Sequence, residues 1–126
     1  MFKVTFDTTL AKGYLASISR NGHLWFSRLC EDEYIRDCRY AIVQHDAVND
    51  YIEVFPFIGS QNWRCAPDEF RIYLVNENEN GVIIPVHWIR ELAEKRDLYG
   101  QYIPYYNAEE RMITLKLKER VKKYAR

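Results

Sequence analysis

The chain has no net charge: 18 Lys and Arg balance 18 Asp and Glu over 126 residues. No global field therefore draws it to nucleic acid. No apolar run approaches membrane-spanning length, and the opening residues, MFKVTFDTTL, are too polar for a signal peptide. The expectation is a cytoplasmic protein with no membrane contact. Cysteine is scarce: Cys30, Cys38 and Cys65 are an odd number and cannot all pair within the chain, which suits reduced thiols. Five Gly and four Pro are too few for a low-complexity or disordered chain. Phosphate loops, nucleophile elbows, zinc-protease helices and Cys-x-x-Cys pairs are all missing. No catalytic residue, metal or cofactor is assigned, and the chain reads as a non-enzyme. His23, Cys30, Cys38 and His45 lack the closely spaced ligand pairs of structural zinc, and Cys30 falls in an amphipathic stretch where a free thiol is ordinarily core. His45-Asp46 reads as a solvated turn.

What is present is a globular composition, 48% hydrophobic and 29% charged, with 15% aromatics including ten Tyr. A chain of this length forms one compact domain, or two very small lobes sharing a core. Charge is uneven along it. Residues 1–63 hold six basic and eight acidic side chains, and residues 64–126 hold twelve and ten. The last eleven residues, KLKERVKKYAR, hold six basic and one acidic.

The chain also resembles itself. Asn21-Gly22 matches Asn80-Gly81, Arg36-Asp37 matches Arg96-Asp97, Asp46-Ala47 matches Asn107-Ala108, and Ile52 matches Ile113. Each copy predicts a strand (14–18; 70–75), an Asn-Gly turn, a short strand (24–26; 82–84), a helix (28–35; 86–95) and a hairpin (39–44 with 51–55; 101–105 with 112–117). The units divide as 1–56 with an added N-terminal strand at 2–7, a linker at 57–69 rich in turn residues, and 70–126 with a basic tail expected to be helical from Glu119. Trp88, Ile89, Leu92 and Ala93 share one face of the second helix. Pro104 points to an edge strand. Pro85 has no N–H for a ladder, so it marks the boundary between strand and helix. In the first copy Ser27 marks that boundary as an N-cap.

The run NGVIIPVHWIREL, followed by YIPYYNAEERMITLKL, resembles the AbrB/MazE family of swapped-hairpin domains. Gly81, Ile84, Pro85, Arg90, Leu92 and the closing hairpin stand where the family pattern expects them. The first half follows only in outline, through Gly22, the strand at 24–26 and the hairpin ending YIEVFPF. The resemblance implies a mainly β fold with short helices (α+β), in which duplicated β-β-α-β-β units intertwine as a swapped-hairpin barrel. It also implies a DNA-binding, transcription-regulating role for a pseudo-dimer.

On that reading Arg90 and the tail residues Lys116, Lys118, Arg120, Lys122 and Lys123 contact the phosphates of double-stranded DNA. The turn NENEN and the run CEDE are acidic, and carboxylates there repel phosphate. A second reading therefore keeps the scaffold for a protein partner, as an adaptor, inhibitor or antitoxin-like module, with Tyr99, Tyr102, Tyr105, Tyr106 and Trp63 as the partner surface. The same tyrosines could instead stack single-stranded bases, or lie as alternate core residues. A homodimer of pseudo-dimers stays open as the assembly.

Overall fold

A computed structural model describes residues 13–59, 69–74 and 81–124. Over these residues the fold is mainly β, with two short helices and two open antiparallel sheets. Strands β1 (Ala16–Ile18), β2 (His23–Phe26), β3 (Tyr40–Asp46) and β4 (Tyr51–Phe57) come from the first half. Between β2 and β3, helix α1 begins at Arg28–Cys30 and widens into π-helical turns over Glu31–Ile35. The second half supplies β5 (Glu69–Arg71), β6 (Tyr73–Leu74), β7 (Val82–Pro85), helix α2 (His87–Arg96), β8 (Gly100–Tyr102), β9 (Pro104–Asn107), β10 (Met112–Lys116) and β11 (Lys122–Lys123).

The halves are interleaved. One sheet runs β11-β8-β1-β2-β7-β6 and the other β5-β3-β4-β10-β9. Each strand of the first half pairs with a strand of the second: β1 with β8, β2 with β7, β3 with β5, and β4 with β10. The apolar alternation of the strands explains why. Leu24 and Phe26 in β2, Val82 and Ile84 in β7, Ile52 and Val54 in β4, and Ile113 and Leu115 in β10 are all buried. Each contributes roughly 1.5–3 kcal/mol by leaving water. They join Cys30, Ile35, Ile89 and Ala93 of the helices in one continuous core. Trp88 and Leu92 pack against its margin, as the helical spacing predicts.

Backbone irregularities recur at the repeat spacing. Six of the seven positive-φ residues among those described fall in pairs, Gly22 and Gly81, Asp37 and Asp97, and Asp50 and Arg111, separated by 59, 60 and 61 positions, and Gly100 has no counterpart. Asp37 and Asp97 lie just beyond the two helices, and Asp50 and Arg111 end the two hairpin turns. Each hairpin also opens on a side-chain cap three residues long, Asp46 accepting from Asn49 N and Asn107 from Glu110 N. Gly81 has no substitute in this backbone, because a Cβ there would stand 2.1 Å from the Phe26 carbonyl oxygen.

Pro85 closes β7, and α2 starts after Val86. Ser27 occupies the N-cap position of α1, but its hydroxyl donates to Gly13 O and accepts from Leu15 N instead of capping the helix. Pro104 lies in β9, an edge strand.

Three expectations need correction. The segment expected as one strand over 70–75 is split at Ile72, so that β5 joins the five-stranded sheet and β6 the six-stranded one. The segment expected as one strand over 101–105 is split at Ile103, so that β8 joins one sheet and β9 the other. The tail is not helical. Val121 N donates to Gln101 O (2.7 Å) and Tyr124 N to Tyr99 O (3.2 Å), which makes β11 the edge strand beside β8. The free edge of β8 supplies backbone partners, whereas a short helix would have set like charges one turn apart. The N-terminal strand at 2–7 lies outside the described residues, as does most of the linker.

Candidate nucleic-acid interface

The β1–β2 turn is built by Ser19: its carbonyl accepts from Gly22 N (2.9 Å), and its N–H donates to His23 O (3.0 Å). Gly22, at φ +80°, lets the turn lie directly on α2, where a Cβ would meet Arg90 Cβ at 2.6 Å. Val86 N, at the N-cap of α2, donates to Gly22 O (3.4 Å). Turn and helix start thus enclose an open cleft of about 360 Å³ lined by Asn21, Gly22, His23, Pro85, Val86, His87 and Arg90. The first turn of α2 has no acidic residue and no side-chain cap, so its own side chains do not offset the positive end of its dipole. Arg90 is exposed and makes no ion pair among the described residues. Arg20 flanks the turn, with its guanidinium 5.9 Å from the Tyr99 ring centre.

The matching place in the first half has the opposite charge. Helix α1 runs straight into Glu31, Asp32 and Glu33, with Arg28 paired loosely to Asp32 at 4.0 Å.

The other basic residues expected to act with Arg90 are dispersed. Arg120 donates to the carbonyl oxygens of Asp97 (2.6 Å) and Tyr99 (3.1 Å), and Lys123 pairs with Asp97 at 2.7 Å. These two hold the tail to the end of α2. Lys116 lies over the Tyr105 ring at 4.4 Å, on the five-stranded sheet. Lys118 and Lys122 are exposed.

Nor do the tyrosines form one surface. Tyr99 and Tyr102 are buried, with hydroxyls donating to Glu94 and to Leu98 O, and burial pushes the Tyr102 phenol up to about 12. Only Tyr105 of the four is well exposed; Tyr106 stacks on Tyr34 at 4.2 Å, and Tyr14 adds a third ring. Trp63 lies outside the described residues.

The sequence reading missed a second constellation. Arg96, at the end of α2, donates two hydrogen bonds to Asp50 (2.7 and 2.6 Å), and His45 Nε2 lies 3.1 Å from the same carboxylate. Asp50 is only 7% exposed, and the Arg96 guanidinium holds its carboxyl down at about 2. Both carboxylate oxygens are committed, so the group bridges the first hairpin to the second half's helix. The same junction on the other side, between α1 and β9, is closed by the tyrosine stack. Cys30 is core and desolvation raises its thiol, as expected for an inert cysteine. Among the described residues no set of three His, Cys, Asp or Glu could hold a metal ion, and no helix is long and apolar enough to cross a membrane.

Comparison of this chain with protein-family models, with curated proteins and with solved structures finds no match.

Proposed function

We propose that this chain is a small DNA-binding, transcription-regulator-like protein on a duplicated swapped-hairpin scaffold. Three observations support the scaffold: in both sheets a pair of first-half strands lies between strands of the second half, left-handed residues recur 59–61 positions apart, and each half's helix packs on the other half's hairpin. The observation that carries the function is the seating of the Asn21-Gly22 turn on the start of α2. It brings Arg90, His87, His23 and Asn21 to one cleft at a positive helix end. Asn21 and the α2 amides serve as donors to phosphate or base edges, and Arg90 supplies the charge. Because the α1 side is acidic, the contact is one-sided: one half binds the duplex backbone while Glu31, Asp32 and Glu33 face away from it.

Fluorescence anisotropy with a labelled duplex at low salt tests this. Affinity should fall with salt, and Arg90→Glu should weaken binding about tenfold or more and reduce the salt slope by about one phosphate equivalent. Binding that is absent, or indifferent to salt and to Arg90, removes the proposal. The acidic α1 face favours a second reading, a basic protein partner docked there; Glu31→Lys with Glu33→Lys should abolish such a complex and leave duplex binding intact or improved.

A further inference from the structure

The chain changes sheets at Ile72. On one side of it β5 pairs in the five-stranded sheet, and on the other β6 pairs in the six-stranded one, so the two sheets part at this corner. Ile72 N donates to Arg39 O (2.8 Å), which ties the bend to the start of β3. The end of α1 and the start of β7 complete the walls of a cavity of about 620 Å³. That volume lies inside the roughly 300–1,000 Å³ range of small-molecule sites.

The lining has one apolar and one charged part. Ile35 and Val82 belong to the buried core, and Ile72 packs against it. Glu31, Asp37 and Arg39 bring charge of both signs, yet among the described residues no ion pair joins them. Arg71 also borders the cavity, with its guanidinium near the rings of Tyr40 (5.9 Å) and Tyr73 (5.8 Å). Arg39 has no such ring contact among the described residues.

The repeat supplies an internal precedent for what Asp37 can hold. Asp37 and Asp97 are the same left-handed position, 60 residues apart, and Asp97 pairs with the Lys123 ammonium at 2.7 Å. Asp37 has no cation partner of that kind among the described residues. Burial, and then the charge of Asp32, raise the Glu31 carboxyl, a penalty that a bound cation would offset. A purely cationic ligand would leave Arg39 unmatched, and a purely anionic one would meet two carboxylates. A zwitterion satisfies both signs at once.

We infer that this corner binds a free α-amino acid with an aliphatic side chain. The ligand's ammonium pairs with Asp37 and Glu31, and its carboxylate with the Arg39 guanidinium. Its side chain leaves water against Ile35, Ile72 and Val82. The site is separate from the cleft at the start of α2 and does not depend on the duplex contact.

Titration calorimetry of the full chain with leucine, leucinamide and N-acetyl-leucine tests the assignment. Leucine should bind, and each analogue, lacking one charge, should bind about tenfold more weakly or worse. Arg39→Gln should weaken leucine and abolish its advantage over leucinamide. Asp37→Asn should weaken leucine and reduce its advantage over N-acetyl-leucine, and asparagine suits the left-handed backbone there. Both variants should keep the wild-type far-UV circular dichroism. Should Asp37→Asn fail to fold, Arg39→Gln and the two analogues still decide the matter. No heat with leucine, isoleucine or valine up to their solubility overturns the inference. So does equal binding of leucine and both analogues, or a selectivity that neither variant alters.

Discussion

At the scale of single residues, Asp50 shows how much one carboxylate can organise. It ends a hairpin turn in a left-handed conformation, sits almost wholly out of water and takes two hydrogen bonds from Arg96. Its carboxyl titrates at about 2 in the folded chain against an ordinary 3.8. A carboxyl depressed on folding stabilises above its unfolded value and loses that contribution as pH falls through the folded one. Asp50 should therefore contribute about 2 kcal/mol at neutral pH, lost between about pH 4 and pH 2. Urea unfolding across that range should show the loss in the wild type and a flatter profile in Asp50→Asn, which starts less stable by about the same amount. An Asp50→Asn profile that stays as steep as the wild type would mean that other carboxylates carry the acid sensitivity. Nothing in HDAVND announces this bridge, since Arg96 is 46 residues away and local turn chemistry accounts for Asp46 alone. Gly22 is a simpler case. Gly22→Ala strains a left-handed turn and pushes a Cβ into Arg90, so it should cost about 1–3 kcal/mol and weaken duplex binding by displacing the arginine.

At the scale of elements, the sequence was most informative where backbone chemistry is local. Pro85, the Asn21-Gly22 turn, the apolar face of α2 and the edge position of Pro104 all follow from φ restriction, missing donors or periodicity. It was least informative where an element's form depends on a distant neighbour. KLKERVKKYAR has helical composition, yet the open edge of β8 and the carbonyls of Asp97 and Tyr99 turn it into a strand. The same holds for YGQYIPYY, whose split between two sheets cannot be read from alternation alone. Arg120 and Lys123 thus anchor the tail, while Lys118 and Lys122 stay exposed. Arg120→Ala should release β11 locally: amide exchange of Val121 and Tyr124 should accelerate while the global melting temperature stays nearly unchanged. Slow exchange retained at both amides would show that the strand pairing alone suffices.

At the scale of the whole molecule, the interleaving of halves is the property from which the rest follows. Each half alone would leave the paired edges of β2 and β4, or of β7 and β10, open and their apolar faces half covered. Residues 1–62 and 63–126 expressed separately should each lack dispersed amide resonances, and mixing them should restore the native spectrum, slowly and in second-order fashion. A half that folds by itself would contradict the shared core. Within the shared architecture the two halves differ in charge, so one helix start is basic and the other acidic. The proposed one-sided duplex contact rests on that difference. Its most direct test is a duplex titration followed by amide chemical shifts on the full chain. The account predicts perturbations concentrated at Asn21, Gly22, His23, Val86, His87 and Arg90, with the α1 start and the five-stranded sheet unmoved. Perturbations centred on that sheet, or none at low salt, would contradict it.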